Sequence, residues 1–389
     1  MIARHTQVMA LSVLLLMAAS GTTTAQAFRP VAEVRTLVRS QDALTVGRRG
    51  SVGLQRTLIG RISRGFRRLP VKTWSSGRNA IAAIKYLMSG GDPTFAENDA
   101  VVAAFPERLK PLLMASLSYA QGEAGEARYL FAKIDPRETD PALAGHVALI
   151  KSLLTFGSDK EAAMAFLDDA RLLGAGTLVE EAAIRRQLGV VVNRHNVGRF
   201  QQLSMRYVRK FQRSVYSAAF REHLARGLVD KSFKLDEARN LWLNALLDNL
   251  DRSVRPDYCM VIAERGLIQG RTKLVKMTVA RVKKDADARS RYGRRAKLFN
   301  AAVSIVDAEA DEAFEDLESL SDFTPGSFED NLRQAALAMA KGIAMPVDET
   351  KSVAGKAATK TEETKDDALA GSRTAALAAL RDADIWLAK

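Results

Sequence analysis

The feature that most constrains the fold is a helical segment that recurs at intervals of 36 to 39 residues. Each copy follows a short polar break and carries bulky apolar residues at three- and four-residue spacing. Two helices per repeat of this length are typical of an α-solenoid, in which each hairpin buries its apolar face against the next. The sequence therefore predicts an all-α fold, a TPR-like helical-hairpin solenoid over residues 78–340. The recurring segments begin near Glu123, Asp159, Asn196, Leu235, Arg271 and Glu309.

Helix-start signals and the scarcity of helix breakers support this prediction. Ser158 with Glu161, and Thr177 with Glu180, have the spacing of capping boxes. Between residues 142 and 324 there is a single proline, and the alternating β-branched runs that indicate strands are absent.

The first 27 residues have the pattern of a secretory signal peptide. Arg4 gives a positive start, residues 8–19 form an apolar run, and Ala25 and Ala27 fit the small-x-small cleavage pattern. The apolar run is shorter than the roughly 20 residues that a membrane-spanning helix needs. We therefore expect cleavage after about Ala27, export to the periplasm, and no membrane span in the mature chain.

The formal net charge of +13 is concentrated in one segment. Residues 28–78 hold twelve basic residues and two acids, whereas residues 79–389 hold 45 basic residues and 43 acids. A basic excess suggests a polyanion partner, but export argues against nucleic acid. We expect a basic N-terminal arm over residues 28–77, extended and partly ordered, with at most one helix. It is either a solvated tail without a partner or an arm that docks on an acidic surface of a protein or of the cell envelope.

Two blocks of opposite charge follow each other further along the chain. The basic block, residues 271–297, carries eleven basic residues and two acids, and the acidic block, residues 307–330, carries ten acids and no base. We expect these blocks to pair with each other across neighbouring helices. Such exposed pairs each contribute at most about 1 kcal/mol.

The composition changes after residue 340. Residues 341–372 are rich in Lys, Glu, Thr and Ala, which predicts a low-complexity linker. Residues 373–389 regain an apolar stripe that ends in Trp386 and Leu387, which predicts an amphipathic helix. This tethered helix either docks back on the solenoid or binds a groove of a partner.

The sequence contains no recognisable catalytic, cofactor-binding or metal-binding motif, so we expect no enzyme activity and no cofactor. The histidines are expected to be structural, and Cys259 to be a buried small hydrophobe. One enzymatic hypothesis is kept for testing: soluble lytic transglycosylases use a catalytic Glu commonly followed by Ser, as in Glu318–Ser319. That carboxyl group would need an apolar pocket to raise its pKa.

Three strings carry a resemblance to a known family. They are AIAAIKYLMSGGD at residues 80–92, ARLLGAGTLVEEAAIRR at 170–186 and RYVRKFQRSVYSAAF at 206–220. In this order, behind a signal peptide, they resemble the MotC family of alphaproteobacterial motility proteins. The resemblance implies a periplasmic, non-enzymatic role in flagellar rotation, in which the protein acts with the periplasmic part of the stator protein MotB to place or stabilise stator units. The alternative is a general periplasmic TPR-like adaptor for envelope assembly or peptidoglycan contact.

Two of these strings also suggest partner contacts. Gly174 and Gly176 would let one helix end in a left-handed conformation, and Thr177 would cap the next. We then expect a charged ridge and a basic-aromatic patch, each either a partner-binding site or ordinary solenoid surface. The ridge consists of Glu180, Glu181, Arg185 and Arg186, and the patch of Arg206, Tyr207, Arg209, Lys210, Phe211, Arg213 and Tyr216.

Overall fold

The computed structural model describes residues 28–48, 50–305 and 310–344. In this part of the chain every regular element is a helix. The predicted signal peptide, nearly all of the linker and the C-terminal helix lie outside the described residues. The α-helices are α1 (Pro30–Leu44), α2 (Gly50–Arg67), α3 (Gly77–Met88), α4 (Asp99–Ala104), α5 (Lys110–Gln121), α6 (Ala124–Ala132), α7 (Pro141–Thr155), α8 (Lys160–Leu173), α9 (Leu178–Asn193), α10 (Val197–Phe211), α11 (Ser217–Val229), α12 (Glu237–Asp248), α13 (Arg255–Ile268), α14 (Thr272–Asp285), α15 (Arg291–Ser304), α16 (Ala310–Glu318) and α17 (Phe328–Ala344).

The predicted repeat is present in the structure. The six recurring segments are α6, α8, α10, α12, α14 and α16, and each begins within two residues of the position that the sequence indicated. α7 packs on α8, α9 on α10 and α13 on α14, and from α7 to α17 each odd-numbered helix also contacts the next odd-numbered helix. The all-α helical-hairpin solenoid is therefore confirmed, while the TPR-like detail stays a prediction.

Side-chain caps explain where the repeat breaks fall. Asp159 accepts hydrogen bonds from the backbone N–H groups of Glu161 (3.0 Å) and Ala162 (2.9 Å), so it caps α8. The capping box predicted at Ser158 is wrong by one residue. The hydroxyl of Ser158 instead donates to the carbonyl oxygen of Thr155.

The segment predicted as an extended basic arm is instead folded, so that prediction is wrong. α1 and α2 pack against each other, and α1 also packs on α3. Val34, Leu37, Ile62 and Phe66 lie at helical spacing and are buried in the core. The arginines lie on the opposite sides of both helices, where they stay hydrated. A high net charge therefore does not prevent this segment from folding.

An aromatic cluster fixes the first two helices to the rest of the array. The ring of Phe66 lies 5.1 Å from Trp74, 5.0 Å from Tyr86, 5.0 Å from Phe95 and 6.0 Å from Phe28. The four contacts are edge-to-face, an arrangement that adds to the stabilisation from burial alone.

The end of α1 reaches the middle of the chain. The backbone N–H of Leu178, the first residue of α9, donates to Oδ1 of Asp42 at 2.9 Å. The N–H of Val215 donates to the carbonyl oxygen of Leu44 at 3.0 Å. These bonds tie the α1–α2 hairpin to the start of α9 and to the loop before α11.

The basic and acidic blocks pair with each other, as the sequence predicted. The bonds join α15 to α16 and α17 and to the loop between them, so the opposite charges lie on successive elements. The pairs are Arg294 with Asp322, Arg295 with Glu329 (2.7 Å) and Lys297 with Asp316 (3.0 Å).

Cys259 lies in the core of the C-terminal half. Its side chain is buried on α13. Burial raises the pKa of the thiol to about 12, so the group is a neutral apolar side chain at neutral pH. The prediction of a buried small hydrophobe is confirmed.

Candidate functional site

α9 begins inside the string at residues 170–186. Gly176 has a φ of +80°, the left-handed conformation that glycine adopts without strain, and the hydroxyl of Thr177 accepts from the N–H of Val179 at 3.2 Å. The predicted cap at Thr177 is confirmed. Gly174 has a φ of −106°, so the left-handed prediction is wrong there. Its packing nevertheless needs glycine, because a Cβ would lie 2.6 Å from Cγ1 of Val179.

Glu180 is fully buried and ionised. Its Oε1 lies 2.5 Å from Nε of Arg206, and its Oε2 accepts from the N–H of Gly176 at 2.6 Å and from Nζ of Lys210 at 3.2 Å. Burial alone would raise the pKa of this carboxyl group. The hydrogen bonds from Gly176, Arg206 and Lys210 together outweigh burial and lower the pKa below its ordinary value.

Glu181, the next residue, is also fully buried but binds a different set of groups. Its Oε1 accepts from the hydroxyl of Tyr207 at 2.7 Å, from the hydroxyl of Ser214 at 3.3 Å and from Nε of Arg185 at 3.3 Å. Burial first, and then the charge of Glu181, raise the pKa of Tyr207 well above its ordinary value. Tyr207 is therefore a neutral hydrogen-bond donor to a buried acid.

Aromatic contacts complete this junction of α9, α10 and α11. The ring of Tyr207 stacks on Phe220 at 3.7 Å and meets Phe211 edge-on at 5.8 Å. The guanidinium group of Arg185 lies 5.5 Å from the ring centre of Tyr216. The two strings at residues 170–186 and 206–220 thus pack on each other.

The prediction of an exposed ridge on α9 is wrong for most of its members. Glu180, Glu181 and Arg185 are buried, and Arg186 is half-buried. The physical reason is that the cations and hydroxyl groups of the neighbouring elements face these carboxylates. The bonds of Glu180, Glu181 and Arg185 hold the three helices of this junction together.

Most residues of the basic-aromatic patch are likewise buried or already paired within this chain. Tyr207 and Phe211 are buried, and only Arg209, Lys210 and Arg213 are exposed. Two of these three cations already pair with carboxylates of this chain. A partner-binding role for the patch stays a prediction.

The structure brings together a second set of polar groups that the sequence analysis overlooked. Helices α1, α3, α7 and α9 contact one another in a closed ring, and α5 packs on α3. Each of these five helices contributes one half-buried titratable side chain, and we call the set the inner polar face. Its members are Asp42, Lys85, Tyr119, His146 and Arg186.

These side chains influence one another electrostatically. Burial lowers the pKa of Lys85, and the negative charge of Asp42 partly opposes this shift. Burial, followed by the charge of Lys85, lowers the pKa of His146 to about 3. Burial raises the pKa of Tyr119, against the charge of Arg186. The charge of Lys85 is therefore coupled to both Asp42 and His146.

A sequence signal for this face exists, but it is weak. Lys85 is the one charged residue in residues 80–88, and His146 is the one titratable residue in residues 141–150. A single polar residue in an otherwise apolar helix fits a structural role equally well. Only the ring of helices shows that these residues share one surface.

The geometry adds no support for the transglycosylase hypothesis or for a metal site in the described residues. Glu318 of the transglycosylase hypothesis is exposed at the last position of α16, without the apolar pocket that would raise its pKa. Within residues 28–48, 50–305 and 310–344, no group of three or more His, Cys, Asp or Glu side chains could hold a metal ion. Over the same ranges, no helix has the length and hydropathy required to cross a membrane.

A small cleft of about 190 Å³ lies between α6, α7 and α8. Two cationic side chains line it, but both already bond to backbone carbonyl groups. Nζ of Lys151 donates to Ile134 at 2.6 Å, and Nε of Arg128 donates to Leu154 at 2.8 Å. These bonds give the cations a structural role at the ends of helical segments.

Together, the fold and these surfaces define a helical-repeat protein whose notable polar groups lie on packed helix faces. The family model described as Chemotaxis protein MotC matches residues 1–385. The chain therefore belongs to the MotC family of chemotaxis and motility proteins. A relative named Chemotaxis protein MotC, from Rhizobium meliloti (strain 1021), is 25% identical over 322 residues, which cover 82% of this chain and 73% of the relative. No solved structure matches the chain.

Proposed function

We propose that this protein is a non-enzymatic periplasmic component of the flagellar motor that is required for motility. In this proposal it binds the periplasmic part of the stator protein MotB and so places or stabilises stator units. The family assignment supports a role in chemotaxis and motility. The signal-peptide pattern of the first 27 residues supports export.

The observation that carries the binding role is the inner polar face. Lys85 is half-buried and, within the described residues, makes no salt bridge, so its charge is partly desolvated at a cost that the charges of Asp42 and Asp140 offset only in part. An acidic side chain of a partner would compensate that cost through a charge-assisted hydrogen bond. Tyr119 lies on α5, which packs on the helix of Lys85, and it provides a further polar contact. Solenoid proteins commonly use such extended surfaces to bind other proteins.

A deletion strain tests the biological role. We expect cells that lack this protein to assemble flagella but to swim poorly or not at all in soft agar. Complementation with the full-length gene should restore swimming. Normal swimming of the deletion strain would refute the proposal.

Binding to the stator is tested with the purified periplasmic part of MotB. Lys85→Gln and Tyr119→Phe should each weaken binding, by at least about 10-fold for Lys85→Gln because a charge-assisted hydrogen bond contributes about 1.5–3 kcal/mol. The matched control is Lys160→Gln, which changes an exposed lysine at the start of α8. Unchanged circular dichroism of all three variants shows that the fold is intact. Equal affinities of Lys85→Gln and the control would rule out the inner polar face as the binding surface.

The alternative, a general envelope adaptor, is favoured by the basic face of the α1–α2 hairpin. Co-sedimentation with purified peptidoglycan tests it. Because α1 and α2 contribute to the core, the test needs surface substitutions in this hairpin. Removal of the hairpin would disturb the fold itself.

A further inference from the structure

The α1–α2 hairpin presents a cationic surface with almost no opposing charge. Residues 28–78 contain two acids, and each already has a bonding partner other than the exposed arginines described below. Glu33 pairs with Arg61, and Asp42 accepts the N–H of Leu178. The excess charge of this segment is therefore held on a rigid, folded element.

The arginines are ordered along the solvent faces of the two helices. They recur at helical spacing, with residues 35 and 39 on α1, residues 56 and 64 on α2, and residue 68 directly after the end of α2. All five are exposed and, within the described residues, have no ion-pair partner. We call these five residues the arginine face.

Apolar side chains are exposed where the two helices meet. Val46, Val52 and Leu54 are 53%, 54% and 47% exposed. Val52 lies one helical turn before Arg56, so an apolar group borders the arginine face. A carbohydrate–peptide polymer offers cations a counter-charge but no apolar phase for these side chains. A lipid bilayer offers both.

We infer that the α1–α2 hairpin binds the surface of a bilayer that contains anionic phospholipids. Guanidinium groups form bidentate hydrogen bonds with phosphate, and eleven of the twelve basic residues in 28–78 are arginines. Val46, Val52 and Leu54 enter the boundary between headgroups and acyl chains. Residues 79–389 are nearly neutral overall, so the hairpin supplies most of the electrostatic attraction.

Vesicle co-sedimentation with the chain that begins at Phe28 tests this inference. We expect binding to vesicles of phosphatidylcholine mixed with about one third phosphatidylglycerol, and little binding to phosphatidylcholine alone. Binding should fall as salt is added, since added ions screen surface charges. Equal binding to both kinds of vesicle would overturn the inference. Millimolar inorganic phosphate should not compete, and competition at that concentration would assign the surface to a free anion instead.

Matched variants separate the arginine face from net charge. The triple variant Arg56→Gln, Arg64→Gln and Arg68→Gln should bind anionic vesicles about 100-fold more weakly, since each arginine near an anionic surface contributes about five-fold. The control triple variant makes the same charge change at exposed arginines elsewhere and should bind almost normally. The inference fails if both triples behave alike. The control substitutions are Arg209→Gln, Arg289→Gln and Arg291→Gln.

A second variant isolates the apolar contribution. Val52→Ser with Leu54→Ser keeps every charge and should weaken vesicle binding, whereas binding to purified peptidoglycan should not change with it. Strong peptidoglycan binding together with absent vesicle binding would overturn the lipid assignment in favour of a cell-wall polymer. No stator component is present in these assays, so their failure leaves the proposed motor function untouched.

Discussion

The buried carboxylate of Glu180 should stabilise the junction of α9 and α10 by about 2 kcal/mol. Glu180→Gln keeps the shape of the side chain and an acceptor for the N–H of Gly176, but it removes the charge that holds Arg206 and Lys210. A hydrogen bond to a charged group contributes about 1.5–3 kcal/mol. The side chains of Arg206 and Lys210 are 34% and 43% exposed, so water partly replaces the lost bonds and reduces the combined effect.

The pH dependence of this loss provides a second check. The pKa of Glu180 is lower in the folded protein than its ordinary value of 4.5. Its contribution to the free energy of unfolding is therefore present above the unfolded-state pKa and is lost as the pH falls through the folded-state pKa. The difference between wild type and Glu180→Gln should be largest near neutral pH and should shrink towards about pH 3.

Urea unfolding followed by circular dichroism at these two pH values measures the effect. The matched control is Glu318→Gln, which changes an exposed glutamate and should alter the free energy of unfolding by less than about 0.5 kcal/mol. A loss for Glu180→Gln no larger than that of the control would refute the reasoning. So would a loss of equal size at both pH values.

Three further results are expected. Asp42→Ala should lower the free energy of unfolding by about 1–2 kcal/mol in urea titrations, because the N–H of Leu178 at the start of α9 loses its acceptor. A change below about 0.3 kcal/mol would contradict this. His146→Gln should reduce the fall in the free energy of unfolding as the pH drops below 6.5. The reason is that the folded-state pKa of His146 is about 3, so the folded protein resists protonation of this group. Parallel pH profiles of variant and wild type would count against it. The thiol of Cys259 should react with a disulfide reagent only in urea, since it is buried and its pKa is about 12; rapid reaction of the folded protein would show that the thiol is accessible.

The repeat could be predicted because its signals are local. Apolar spacing and the polar breaks before each second helix act within a few residues, and the structure places all six second helices where the sequence indicated. The error at Ser158 shows the limit of this reasoning, since the neighbouring Asp159 is the better cap. The pairing of the basic and acidic blocks was also predictable, because successive helices of a solenoid are neighbours.

The candidate site was much harder to predict. Glu180 and Glu181 resemble exposed helix residues by every local rule, and their burial depends on Arg206 and Tyr207, which lie on the next helix. The inner polar face depends on contacts of still longer range. Its members come from five helices, and nothing in a local window indicates that these helices share a surface.

The sequence by itself determined the all-α repeat, its period, the cap at Thr177 and the family to which the chain belongs. Only the tertiary structure decided that α1 and α2 fold into a hairpin, that Glu180 is a structural ion rather than an exposed contact, and that Lys85 shares a surface with His146. The physical reason is that helix formation follows from neighbouring residues, whereas the burial of a charge is tolerable only when a distant partner compensates its desolvation. That partner is known only once the helices have packed.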